Sequence, residues 1–298
     1  MRIGFAGVAH SHPFSDARNA RSLGVSDLAV WDADDHSRRA DFVREWSATE
    51  YETLTGLLDW GPDVVIVTPR PRRIAAVVAA VLDRGVACFL NKVPAASPAA
   101  LADLDAAVGT RSGRFLTSSV LRFAPGLRAF AGELERPIAV HVSVRHGIDI
   151  FTTPERRWQD DPADGGGTAV SMGLHAWEML DTVLGHAITP LGGVTAWVPD
   201  SRTISENVVT VHALTDGGIP VSVDIVGAGT DEGYEVVVHT ETGVHRISLS
   251  GSDDLGYIDC LRAVLAMAQG APSPVPWERS RAVVRTTLAA AQLARAGG

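Results

Sequence analysis

The sequence has little that would hold it to a membrane, to nucleic acid or to an oxidising compartment. No apolar run approaches the ~20 residues needed to span a bilayer. The formal net charge is −9, and Lys and Arg form no block long enough for a basic stripe, which argues against nucleic acid as a partner. No basic-then-apolar leader is visible ahead of the first apolar segment, so a cytoplasmic protein is expected. The two cysteines, Cys88 and Cys260, lie far apart in apolar surroundings and are expected as buried free thiols rather than as a disulfide. Repeats and low-complexity tracts are absent. What remains is ordinary globular material: 298 residues, 46% hydrophobic and 20% charged, enough for one large domain or two of common size.

Through the first 120 residues the pattern alternates between strand and helix. Arg2 to Gly7 reads as a short strand. Pro13 suits the first turn of the helix that follows, where its missing N–H would be unpaired anyway, with Ser11 or His12 as cap and Gly24 as stop. Leu28 to Trp31 is a second strand ending in Asp32, and helices are expected over about 36–46 and 51–60. Asp63 to Thr68 is an uninterrupted apolar strand, and Pro71 opens a helix that stops at Gly85. Val86 to Leu90 reads as a strand buried on both faces, followed by a helix over 97–108 and a strand from Phe115 to Ser119. This order implies a parallel sheet covered by helices on both faces. The right-handed crossover rule then makes the doubly wound Rossmann fold the leading topology for a domain over 1–120.

Lys92 stands just past the carboxyl end of the fourth of these strands, the run ending at Leu90. A lysine there points at the mouth of an open sheet, where such sheets bind ligands; a side chain snorkelling to solvent is the alternative. The first strand-to-helix turn, Gly7-Val8-Ala9-His10-Ser11-His12, replaces the second and third glycines of the Gly-x-Gly-x-x-Gly fingerprint with Ala9 and His12. The helix start still offers N–H groups and a positive dipole end to an anion, which makes Gly7, Ala9, His10 and Ser11 candidate cofactor contacts. Asp32, 25 residues after Gly7, has the spacing of a carboxylate that bonds adenosine ribose hydroxyls; it would repel a 2′-phosphate, favouring NAD over NADP. Two alternatives stay open: Asp32, Asp34 and Asp35 as a solvated acidic loop, and Arg38 or Arg39 reaching a 2′-phosphate.

After about Arg122 the texture changes. Strands are expected at Pro137 to His146, Val208 to Leu214, Ile219 to Val226, Tyr234 to His239 and Val244 to Leu249, with hairpin signals at Asp216-Gly217-Gly218 and Thr242-Gly243. Grouped strands of this kind imply an open, mainly antiparallel sheet in an α+β domain over 121–298. One helix, 169–184, interrupts them, preceded by Gly165-Gly166-Gly167, and two more close the chain. Ser171 and His175, four apart, would share one helix face. A histidine among Leu and Trp is often only a structural group; its titration near neutral pH is what makes His175 a candidate for chemistry.

These residues together resemble the Gfo/Idh/MocA oxidoreductases, nicotinamide-dependent enzymes that act mainly on sugars, inositols and related polyols. The resemblance covers essentially the whole chain. Val67-Thr68-Pro69 looks like the family's strand-end turn beside the cofactor, Asn91-Lys92-Val93-Pro94 like its Glu-Lys-Pro motif, and Arg122-Phe123-Ala124-Pro125 like the lead into the second domain. Trp158, the three glycines and His175 look like its substrate-site helix. The departures are Asn91 for Glu, proline one place late at Pro94, and Ser171 where an Asp usually stands; Glu178 keeps a carboxylate three residues after His175.

The resemblance implies hydride transfer between a nicotinamide and a secondary alcohol, with Lys92 and His175 catalytic. Arg122, Arg145, Trp158 and Ser171 would line the sugar side, and Thr68, Pro69 and Asn91 would join the cofactor contacts. The cofactor is expected to be NAD, with NADP open. The reaction needs the Lys92 ammonium and the His175 imidazole, from separate domains, to act on one oxygen. A homodimer or homotetramer is expected, because a sheet with a single helix layer leaves a broad face uncovered. Two rival readings remain: a cofactor-binding protein without turnover, and a metal-dependent barrel hydrolase using His10 and His12, with His141, His146 and His175 as further ligands.

Overall fold

A computed structural model describes residues 1–199, 201–251 and 254–298. The first part of the chain runs β1 (Arg2–Ala6), α1 (His12–Ser22), β2 (Asp27–Trp31), α2 (His36–Trp46), β3 (Thr49–Glu50), α3 (Leu54–Asp59), β4 (Val64–Val67), α4 (Ile74–Asp83), β5 (Ala87–Leu90), α5 (Pro98–Val108) and β6 (Phe115–Thr117). It continues with α6 (Pro125–Glu133), β7 (Pro137–Arg145), α7 (Arg157–Asp160), α8 (Gly167–Ser171), α9 (Gly173–Leu184), β8 (Ile188–Ala196), β9 (Val208–Thr215), β10 (Pro220–Val226), β11 (Gly233–Thr240), β12 (Val244–Leu249), α10 (Tyr257–Ala268) and α11 (Trp277–Gly297). Two compact units result. The first holds Met1–Ala95, Ala99–Ser118 and Tyr257–Arg281; the second holds Ala96–Pro98, Ser119–Gly256 and Ala282–Gly298.

The first unit is built on a parallel sheet of order β3-β2-β1-β4-β5-β6, the doubly wound arrangement. One register row crosses it as Val30, Phe5, Ile66, Phe89 and Leu116, all fully or almost fully buried. Helices on both faces leave no solvent side, which is why these strands read as apolar runs rather than alternations. At roughly 2 kcal/mol per buried large apolar side chain, this row is a main source of the unit's stability. A helix over 51–60 is not observed as such: the edge strand β3 precedes it, and α3 starts at Leu54, where Thr53 Oγ1 accepts the Gly56 N–H. Both β3 residues are exposed, so no burial pattern marks the strand in sequence.

A division at residue 120 also leaves out the return of the chain to the first unit. Helix α10 buries Cys260, Leu261, Val264 and Met267 and packs on α1, β4 and β5. Trp277 follows, its indole N–H donating to Asp105 (2.7 Å) and its ring meeting Phe115 edge-on.

The second unit carries a sheet of order β12-β11-β7-β10-β9-β8. It is mixed: β7 and β10 pair in parallel while the other neighbours are antiparallel. Val211, Val223, Val142 and Val236 form a buried row on the inner face, against which α9 packs. The outer face alternates out of the core as Val194, Thr210, Asp224, Ser143, Glu235 and Ser248. Strand β8 has no counterpart in the sequence-based expectation, because Pro190, Gly192 and Gly193 break the alternation and a register shift falls between Pro190 and Gly192.

Candidate functional site

In the first unit the candidate residues gather at the carboxyl ends of β1, β2, β4 and β5. The turn after β1 requires glycine: Gly7 has φ +101°, and a Cβ there would collide with the backbone of Thr68 and Pro69. Thr68 closes this approach, its Oγ1 donating to the Gly7 carbonyl (2.7 Å) and its carbonyl accepting the Ala9 N–H (3.3 Å). Gly7, Ala9, Thr68 and Pro69 therefore form one tight junction. His10 and His12 stack face to face, centroids 4.3 Å apart, and Tyr257 lies 6.1 Å from His12. His12 is accommodated as a buried ring rather than as a packing defect.

Asp32 is buried at the end of β2. Its Oδ2 accepts the Val8 N–H (2.6 Å), and its Oδ1 accepts the N–H groups of Asp34 and Asp35 (2.8 Å each). A carboxylate has about four acceptor sites, so room remains for about one ribose hydroxyl. The acidic loop after it is not simply solvated. Arg70 forks onto Asp35 (2.9 and 2.6 Å), and Arg72 and Arg73 both reach Asp34 (2.6 Å each). The hydrogen bond from Arg73 leads the effects that hold the Asp34 carboxyl below its usual range. Arg38 bonds the carbonyls of Val8 and His10, while Arg39 bonds the Asp32 carbonyl and pairs with Glu50. Both arginines that could have met a 2′-phosphate are thus engaged in holding this turn together.

At the end of β5, Asn91 and Lys92 are buried. The Asn91 N–H continues the sheet to the Val67 carbonyl (3.2 Å), and its side-chain carbonyl accepts the Lys92 backbone N–H (2.8 Å). Its amide N–H donates to Asp16 on α1 (3.0 Å). Burial pushes the Asp16 carboxyl up to about 7, against the smaller opposing effect of the Asn91 bond. The only sequence sign of Asp16 is the buried spacing it shares with Pro13, Ala17 and Ala20 on α1.

In the second unit, His175 is buried on α9, with Nδ1 2.6 Å from the Ser119 hydroxyl and its ring edge-on to Tyr234 at 5.4 Å. Ser119 also accepts the Leu121 N–H (3.2 Å), capping the 3₁₀ turn Val120–Phe123. Neither contact has a sequence signal, since Ser119 and Tyr234 lie 56 and 59 residues from His175. Ser171 donates its hydroxyl to the Gly167 carbonyl (2.7 Å), and the helix breaks at Met172 between α8 and α9. The one continuous helix expected over 169–184 is therefore two. Gly166 and Gly167, at φ +86° and +65°, start the first of them where side chains would strike Val170 and Ser205.

Arg122 is buried inside the unit and clamped by Glu178 and Asp181. Burial works against its charge, and the two carboxylates outweigh that effect, raising its pKa above the ordinary value. Its guanidinium thus ties the 3₁₀ turn to α9. Arg145 is exposed and pairs with Asp231 (2.8 Å), and Trp158 is half-buried in α7. A cavity of roughly 500 Å³ also opens in this unit, lined by Asp149, Thr152, Ser201, Arg202, Thr203 and Asn207 among others. Its hydroxyl, amide and charged groups suit a polyhydroxylated ligand.

No family model and no curated protein sequence matches the chain. Solved structures share its fold across nearly its whole length. GenD2 from gentamicin A biosynthesis, determined in complex with NAD, superposes with a TM-score of 0.81 at 19% identity, covering 98% of this chain and 94% of its own. Myo-inositol 2-dehydrogenase from Lactobacillus plantarum gives 0.84 at 14% identity, covering 99% and 97%. UDP-N-acetylglucosamine 3-dehydrogenase GnnA from Acidithiobacillus ferrooxidans gives 0.77 at 14% identity, covering 99% and 98%. The fold is therefore the one these solved structures share. The barrel required by the metal-hydrolase reading is replaced by two open sheets. Among the described residues, no cluster of three or more His, Cys, Asp and Glu is arranged to hold a metal.

Proposed function

We propose that the protein is an NAD-dependent oxidoreductase that moves a hydride between the nicotinamide and a secondary alcohol of a sugar, inositol or related polyol. The observation that carries this is the chain's only lysine, Lys92, buried at the carboxyl end of β5 in a doubly wound sheet. Every other side-chain cation of fixed charge is arginine. Arginine stays protonated at any working pH, whereas a buried lysine can give up its proton. Shared fold with dehydrogenases of inositol and sugar substrates supports the reading.

The cradle fits NAD. Gly7 leaves space for backbone approach, α1 points its amino end at the turn, and Asp32 retains acceptor capacity for a ribose hydroxyl while opposing a 2′-phosphate. NAD held by these residues would supply the hydride acceptor for oxidation of the alcohol. The chain's own work is to bind the alcohol, take its proton and steady the charge on oxygen. Lys92 stabilises the anionic oxygen. His175, anchored through Nδ1 by Ser119, takes the hydroxyl proton at Nε2. Cytoplasmic residence and assembly into a homodimer or homotetramer complete the proposal. The outer sheet face, where exposed Val194, Leu214 and Val244 sit among polar residues, is the surface for a second copy.

The test is NADH formation over a panel of inositols and sugars, compared with Lys92→Ala. Turnover should fall by about 10²–10⁴-fold while NADH binding, read by fluorescence, is nearly kept. Unchanged turnover removes Lys92 from the chemistry. NADH binding without reduction of NAD by any panel member favours the reading of a cofactor-binding protein without turnover.

A further inference from the structure

We propose that Asp16 is a positioning residue for Lys92, acting through Asn91. This rests on the reading of Lys92 as the reacting amine, and three observations support it. Asp16 is a carboxyl buried on the inner face of α1, where a polar group needs a partner to offset its lost hydration. Asn91 supplies that partner, and it is almost fully buried itself. The amide that donates to Asp16 is the same group whose carbonyl oxygen holds the Lys92 N–H, so one planar side chain joins α1 to the first residues beyond β5.

Fixing the Asn91 amide plane fixes both bonds together. With the Asp16 acceptor present, the amide N–H is directed at α1 and the carbonyl oxygen at Lys92. Without it, the amide can rotate and the lysine backbone loses its local acceptor. A carboxylate at position 91 would instead set two carboxyl groups against each other with at most one shared proton as donor, whereas the Asn91 amide supplies its own N–H, so asparagine at 91 and aspartate at 16 are complementary. The sheet bond from Asn91 N–H to Val67 holds the strand end, whereas the Asp16–Asn91–Lys92 chain sets how the backbone leaves it.

The composition makes a direct test possible without substrate or cofactor. In a protein of this sequence, Lys92 Nζ is the only side-chain amine and the α-amino group of Met1 the only other amine. Reductive methylation with ¹³C-formaldehyde therefore gives two NMR signals, one reporting the site and one serving as internal control. Asp16→Ala and Asn91→Ala should each speed Lys92 methylation by about tenfold relative to Met1 and shift the dimethyl-Lys92 carbon, as expected for loss of one buried hydrogen bond. The double variant should do no more than either single one, because both break the same chain. Asp16→Asn keeps an acceptor for the Asn91 amide and should stay within about twofold of the unaltered protein. Where Asp16→Ala does not fold, Asp16→Val, of similar volume and without an acceptor, gives the same comparison. An unchanged Lys92 signal in the acceptor-free variants overturns the proposal, as do single effects that multiply in the double variant. These readouts stand whether or not Lys92 takes part in hydride transfer, so failure here is distinct from failure of the functional reading.

Discussion

The Asp16→Asn variant should become more stable than the unaltered protein as pH rises from about 4 to 7. Burial raises the Asp16 carboxyl from an ordinary 3.8 to about 7. Below pH 4 the group is protonated in both folded and unfolded chains, and its contribution to stability is fully present. Between 4 and 7 the unfolded chain releases the proton while the folded one retains it, so stability falls as pH rises; above 7 the loss is complete. About three pKa units at roughly 1.4 kcal/mol each set the loss at about 4 kcal/mol. Asparagine has nearly the same shape, keeps an acceptor for Asn91 and does not titrate. The unfolding free energies of the two proteins should therefore differ by a constant at acid pH and diverge by about 4 kcal/mol towards pH 8, measured by urea denaturation at fixed ionic strength. Parallel pH profiles would show that the carboxyl is not held neutral inside the fold, and the account of its burial would be wrong.

Two further variants test how each unit is held. Arg122→Met leaves Glu178 and Asp181 without their buried counter-charge and should cost about 3–5 kcal/mol in denaturant unfolding. Replacing all three by apolar residues of similar size should recover much of that loss, and a small effect of the single change would mean that water already reaches the pair. Gly7→Ala places a methyl group against the backbone of Pro69 at a φ of +101°. It should lower the thermal midpoint and weaken NADH binding, and a variant indistinguishable from the unaltered protein in both would contradict the tight junction with Thr68.

The Rossmann unit was readable because its strands are buried on both faces. Val64 to Val67 and Ala87 to Leu90 carry no polar interruption, and the punctuation at Gly24, Pro71 and Gly85 separates them from their helices. Strands β3 and β8 lie at sheet edges, both residues of β3 are exposed and none of β8 is buried, so no apolar run marks them. The break at Met172 was hidden for a different reason. The apolar spacing of 169–184 continues across it, and only the structure separates α8, ending at Ser171, from α9, starting at Gly173.

Local order in the sequence by itself determined the alternation of strand and helix, the glycine at the first turn, the acid ending β2 and the lysine beyond β5, because each is a property of neighbours along the chain. Which polar groups meet was decided only by the tertiary structure. Asp16 finds Asn91 across 75 residues, Ser119 finds His175 across 56, and Arg122 finds Glu178 across 56. A buried hydrogen-bonding or charged group must be satisfied by whatever the fold brings beside it, and that neighbour is set by strand order and helix packing rather than by spacing in sequence.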